Sequence, residues 1–204
     1  PHDPLCDGCR RSRLTSKQGR RRQDGHIQGT EKGYVLGLDF VGPFEPDADD
    51  NVFALVGVEA GTNYGMVRLL KNKDADTTRD AVIDMRRELL SKDKDRSRDI
   101  VRIHTDDDGS FQKEMREWIV EQGIQQTDTG GYRPKNNAKA ERRIRTLTES
   151  FRAMLLTAAG GVGEYDKLWG RGLQRACTCV NNAYFEDGKS PERELTSKDY
   201  EYGK

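Results

Sequence analysis

Tyr34-Val-Leu-Gly-Leu-Asp39-Phe-Val41 reads as a central β-strand, a compact run with apolar residues on both faces. Asp39 interrupts its middle, and Gly42-Pro43 ends it. A carboxylate inside such a strand is costly to desolvate unless a cation or hydrogen-bond donors meet it. The chain ahead of this run differs in kind. Residues 1–33 show no periodicity, and from Arg10 to Arg22 they hold Arg10, Arg11, Arg13, Lys17, Arg20, Arg21 and Arg22 with no acid at all. A run of this sort is a solvated tail or the footprint of phosphate binding. Before it, Cys6-Asp-Gly-Cys9 supplies two of the four ligands a tetrahedral zinc ion needs, and neither His2 nor His26 is well spaced to complete the set.

Beyond the first strand, Val52–Val58 and Tyr64–Leu70 read as further strands joined by the turn Gly61-Thr-Asn63, which predicts an antiparallel meander. The pattern then predicts a helix over about Asp76–Ser91, with Val82, Met85 and Leu89 on one face. Ile100–Thr105 is a short strand that delivers Asp106-Asp107-Asp108 at its C-terminal end, where sheet proteins place their chemistry. The three could instead form a turn or cap the helix that follows, through Phe111, Met115, Trp118 and Ile119, but a cap needs only one Asp. Ile124–Thr127 is a fifth strand. Thr129–Pro134 is a loop, and it leads into Tyr132-Arg-Pro-Lys-Asn-Asn-Ala-Lys-Ala-Glu141-Arg-Arg-Ile-Arg-Thr-Leu147. There a helix begins, with a core stripe through Ile144, Leu147, Phe151, Leu155 and Ala158. Glu141 falls at the edge of that stripe. It is either a helix-start acid paired with Arg145 or a carboxylate held for a metal. A last helix spans roughly Tyr165–Tyr184, with Cys177 and Cys179 as small core or near-core residues. The tail from Lys189 is charged, with Ser190-Pro191 as a turn.

The order is β-β-β-α-β-α-β-α-α, an α/β architecture with a mixed sheet flanked by helices. It sets one acid in the first strand, one after the fourth and one at a helix start. The three converge only if the first and fourth strands are neighbours, and they are tolerable together only around cations. Hard oxygen ligands select Mg²⁺ or Mn²⁺.

With 204 residues the chain fits one ordinary domain and an appendage. At 33% hydrophobic residues and a mean hydropathy of −0.92 it has enough apolar sequence for one modest core and little for a second. The boundaries fall at 1–33 for the cysteine pair and basic linker, 34–187 for the sheet domain and 188–204 for the tail. The formal net charge is zero, yet the bases and acids are segregated along the chain. No apolar run approaches membrane-spanning length and no signal-peptide pattern opens the chain. It begins on Pro1 rather than Met, as a piece of a longer polyprotein would. Four cysteines in two tight pairs do not form a secreted disulfide framework.

Three segments together resemble the catalytic core of retroviral and LTR-retrotransposon integrases: Gly37-Leu-Asp39-Phe-Val-Gly-Pro-Phe44, His104-Thr-Asp106, and Tyr132 through Arg142. The resemblance implies a ribonuclease H-like fold with a five-stranded mixed sheet, and a D,D,E site formed by Asp39, Asp106 and Glu141. Between Asp106 and Glu141 lie 34 residues, close to the family's spacing. Arg145 through Leu156, then Trp169, Asn181 and Ser190-Pro191-Glu192, look more copia-like than retroviral. Pro4-Leu-Cys6-Asp-Gly-Cys9 resembles the end of the family's HHCC zinc module, which makes Cys6 and Cys9 candidate Zn²⁺ ligands. Two departures stand out: Asp107-Asp108 replaces the family's usual Asn-Gly, and a Gly common just before the last acid is Ala138 or Lys139 here.

The implied activity is 3′-end processing and DNA strand transfer with two Mg²⁺ (or Mn²⁺) ions. A DNA-binding remnant without activity and a ribonuclease H-type nuclease are the rival readings. Lys139, Arg142, Arg143 and Arg145 are candidate phosphate contacts, since the arginine fork suits phosphate oxygens, and the basic run joins them. The expected partners are element-end and target DNA and further copies of the chain, and the resemblance implies a nuclear site of action.

Overall fold

The computed structural model describes residues 33–93, 98–105, 111, 114–128, 138–159, 166–183 and 188–196. Five strands form one sheet: β1 (Tyr34–Val41), β2 (Phe53–Glu59), β3 (Gly65–Leu70), β4 (Ile100–Thr105) and β5 (Gln125–Asp128). Their spatial order is β3-β2-β1-β4-β5. The first three strands pair antiparallel, as the short link between β2 and β3 demands for that pair, while β4 runs parallel to β1 and β5 parallel to β4. β1 therefore lies at the centre with β4 beside it, the neighbour relation that convergence of the acids requires.

Five helices accompany the sheet: α1 (Ala75–Lys92), α2 (Glu114–Glu121), α3 (Ala138–Ala159), α4 (Trp169–Asn182, preceded by a 3₁₀ turn at Asp166–Leu168) and α5 (Pro191–Thr196). Asp74 starts α1 by accepting the Thr77 N–H at 2.7 Å, satisfying one of the first-turn donors that a helix leaves open.

The strand alternation splits the core in two. Leu36, Leu38, Leu55, Met66 and Ile103 face Val82, Met85 and Leu89 of α1, Met115 and Ile119 of α2, and Leu195 of α5. On the opposite face Ala54, Val56, Val58 and Val67 meet Leu147 of α3 and Trp169, Leu173, Ala176 and Cys177 of α4. Both faces of β1 are covered, which is why its sequence is apolar at both parities.

The segment from Lys189, expected as a charged tail, contains α5, and this corrects that expectation. Ser190 is buried and its Oγ accepts the Arg193 N–H, while Pro191 takes the first helical position, where its missing N–H is no loss. Leu195 closes the core, and Lys92 Nζ reaches Glu192 Oε1 at 2.5 Å.

Candidate active site

Asp39 stands opposite Val56 in the β1–β2 register, and opposed residues of an antiparallel pair share a sheet face. Its half-buried carboxylate is therefore on the Val56 side, the side that α3 and α4 cover. α3 packs on β1 and β2 there, and Glu141, also half-buried, lies in its first turn. Two of the three expected acids thus come from elements that meet on one side of the sheet.

Asp106 follows β4 directly and lies outside the described residues, as do Cys6, Cys9, Arg10, Arg11, Arg13, Lys17, Arg20, Arg21, Arg22 and the side chain of Lys139. Among the described residues no three His, Cys, Asp or Glu cluster as a metal site. Asp39 and Glu141 are hard oxygen donors of the kind Mg²⁺ takes.

The α3 arginines divide. Arg142 and Arg145 are exposed. Arg143, expected as a phosphate contact, is only 7% exposed, and this corrects the expectation. Its Nη2 donates to the Asn63 carbonyl at 2.6 Å and to Asn181 Oδ1 at 2.5 Å, so its fork is turned inward. Burial pushes its pKa down from the usual arginine value. The sequence does carry a signal for this: Arg143 stands four residues before Leu147 and eight before Phe151, on the buried stripe.

Asn181 is the residue the chemistry-led reading undervalued. Besides Arg143, its carboxamide accepts from Gly65 N at 2.9 Å and donates to Gly65 O at 2.7 Å, extending the edge of β3 as a strand partner would. Cys177, one turn earlier, is buried and its thiol is pushed up to about 11 by burial, which fits a core residue and not a nucleophile. Other buried acids have local duties. Glu59 caps the β2–β3 turn, accepting from Gly61 N at 2.9 Å and Thr62 N at 2.6 Å. Asp47 organises the β1–β2 connection, accepting from Asn51 N and Asp49 N, each at 2.9 Å.

Solved structures share this architecture. A chain of the simian T-cell lymphotropic virus intasome in complex with PP2A regulatory subunit B56 gamma superposes with a TM-score of 0.66 at 13% identity, over 89% of this chain and 61% of that one. The HTLV-2 integrase catalytic core domain in complex with magnesium gives 0.59 at 15%, over 83% of this chain and 100% of that one. The BIV integrase catalytic core domain gives 0.56 at 15%, over 79% and 92%. The chain has the ribonuclease H-like α/β fold of retroviral integrase catalytic cores.

In sequence it is similar to the Retrovirus-related Pol polyprotein from transposon TNT 1-94 of Nicotiana tabacum, 27% identical over 208 residues. That match covers 97% of this chain and 14% of the polyprotein. The likeness to an integrase core read from the motifs therefore holds. No family model matches the chain.

Proposed function

We propose that the chain is the catalytic core of a retroelement integrase, a polynucleotidyl transferase that processes DNA 3′ ends and joins them to target DNA. The observation that carries the reading is the parallel pairing of β1 with β4 on the sheet whose Asp39 side is covered by α3. The register pairs Gly37 with His104, and two residues further along each stretch stand Asp39 and Asp106. The likeness to a retrotransposon polyprotein and to integrase cores supports the same assignment.

Asp39, Asp106 and Glu141 would hold the divalent ions. When bound, Mg²⁺ lowers the pKa of an attacking water or 3′-hydroxyl and stabilises charge on the departing 3′ oxygen. The protein's own part is to hold the acids on rigid elements and to orient DNA. Arg142 and Arg145, exposed on the helix that carries Glu141, bind phosphates beside the reacting bond. Lys139 and the basic run Arg10–Arg22 extend that contact without reading bases. Joining two DNA ends calls for more than one copy, and the HTLV-2 core domain is known in dimeric and trimeric forms.

The test is Mg²⁺-dependent nicking and strand transfer on a duplex DNA end by the purified chain, with an RNA–DNA hybrid alongside. Glu141→Gln and Asp39→Asn each reduce turnover by at least on the order of 10²-fold, as loss of a group that stabilises transition-state charge does. Full turnover by Asp39→Asn, or preference for the hybrid, overturns the assignment.

A further inference from the structure

Arg143 is the one arginine in the buried class among the described residues. A buried guanidinium ordinarily needs a carboxylate. Among the described residues both hydrogen-bond acceptors are neutral, the Asn63 carbonyl and Asn181 Oδ1, and its buried Nε has no hydrogen-bond partner there. The surroundings are built to admit it. A Cβ on Gly65 would stand 2.5 Å from Nε, so the position tolerates only glycine while the guanidinium is there. Asn181 is held in turn by both backbone groups of Gly65. Three separate elements thus converge on one side chain that phosphate binding cannot use: the β2–β3 turn, the edge strand β3 and the end of α4.

The position along α3 suggests the purpose. Arg143 is the first buried residue of that helix among those described: Glu141 is half-buried and Arg142 exposed. Glu141 precedes it by two residues, about 200° around the helix axis. A roll or slide of the first turns that moved Glu141 would therefore break the bonds to Asn63 and Asn181.

We propose that Arg143, clamped by Asn63 and Asn181 and admitted by Gly65, is a positioning residue that sets the rotation of α3 and with it the place of the Glu141 carboxylate at the metal site. The inference rests on the integrase reading above. It touches neither DNA nor metal directly, and it separates Arg143 from the exposed Arg142 and Arg145 beside it.

The experiment measures Mn²⁺ binding to the DNA-free chain by paramagnetic resonance, steady-state cleavage of a DNA end, and thermal melting. The variants are Arg143→Met, Arg143→Lys, Gly65→Ala and Glu141→Gln. Arg143→Met keeps the stem and removes the clamp. It weakens Mn²⁺ binding about tenfold to a hundredfold, the loss typical when a group that orients a metal ligand is removed. Its kcat falls in step while KM for DNA stays unchanged. Arg143→Lys, which reaches one acceptor at a time, falls between. Gly65→Ala displaces the guanidinium with every charge retained and repeats the Met phenotype, which keeps the test open should the Met variant fold poorly.

Wild-type Mn²⁺ affinity and kcat in a folded Arg143→Met protein of lower Tm would mean that Arg143 only stabilises the fold. A raised KM at unchanged kcat would mean that it contacts DNA. Either result overturns the proposal. If instead wild type does not cleave and Glu141→Gln leaves Mn²⁺ binding unaltered, the integrase reading itself falls, and the clamp's role at a metal site falls with it.

Discussion

At Asp47 burial and hydrogen bonding pull in opposite directions. The residue is 4% exposed, and burial pushes the carboxyl up. The backbone and side chain of Asn51, the backbone of Asp49 and the nearby charge of Arg171 outweigh that and hold its pKa below the ordinary carboxylate value. The sign of the linkage follows: stability from Asp47 is fully present above the unfolded-state pKa, about 4, and is lost as pH falls through the lower folded-state value. Asp47→Asn presents an amide to donors, and it lowers stability by about 1–3 kcal/mol at pH 7. Urea unfolding at pH 7 and again near pH 3 checks this, because the gap between wild type and variant narrows in acid. The residue scale is also where sequence reading was weakest. Asp47 stood in a run of acids and Arg143 in a run of bases, and neither run distinguishes the inward-facing member. For Arg143 the stripe through Leu147 and Phe151 held the answer, but an arginine on an apolar stripe is read first as an edge residue.

Among the elements, the strands were legible because burial on two faces leaves a two-sided apolar run, and β1 and β4 matched their expected spans to the residue. β5 is only four residues long and its start shifted by one. Helix α5 escaped because six residues cannot show helical periodicity, and its charges suggested solvent. The cap was visible all the same, as Ser190 before Pro191. Two substitutions measure how much this short helix matters. Leu195→Ala, which removes a buried side chain from the core on the α1 side of the sheet, lowers unfolding free energy by about 2–5 kcal/mol. Ser190→Ala removes the Oγ that accepts the Arg193 N–H and lowers it by about 1 kcal/mol. If both left denaturant midpoints unchanged, α5 would be dispensable to the fold.

For the chain as a whole, zero net charge leaves no net monopole to draw DNA to it, so the DNA contact proposed above rests on local concentrations of arginine. α4 carries Arg171 and Arg175 and no acid, and α3 carries four arginines against two glutamates. On the described surface Arg171 faces Asp49 at 3.2 Å, and Arg142 and Arg145 are exposed on the helix of Glu141. If these two bind phosphates, each releases condensed counterions, and the slope of log K against log salt records the number. Replacing both by Ala flattens that slope by about 1.8 for duplex DNA, since each neutralised phosphate contributes about 0.9. Arg143→Met, which removes a guanidinium that is turned inward, leaves the slope unchanged although turnover falls. DNA affinity measured across a salt series, for wild type, the double variant and Arg143→Met, separates arginines that meet phosphate from the one that holds the helix. A flattened slope in Arg143→Met would mean that the wild-type Arg143 fork swings outward to meet DNA, and the division of labour along α3 drawn from its burial would be wrong.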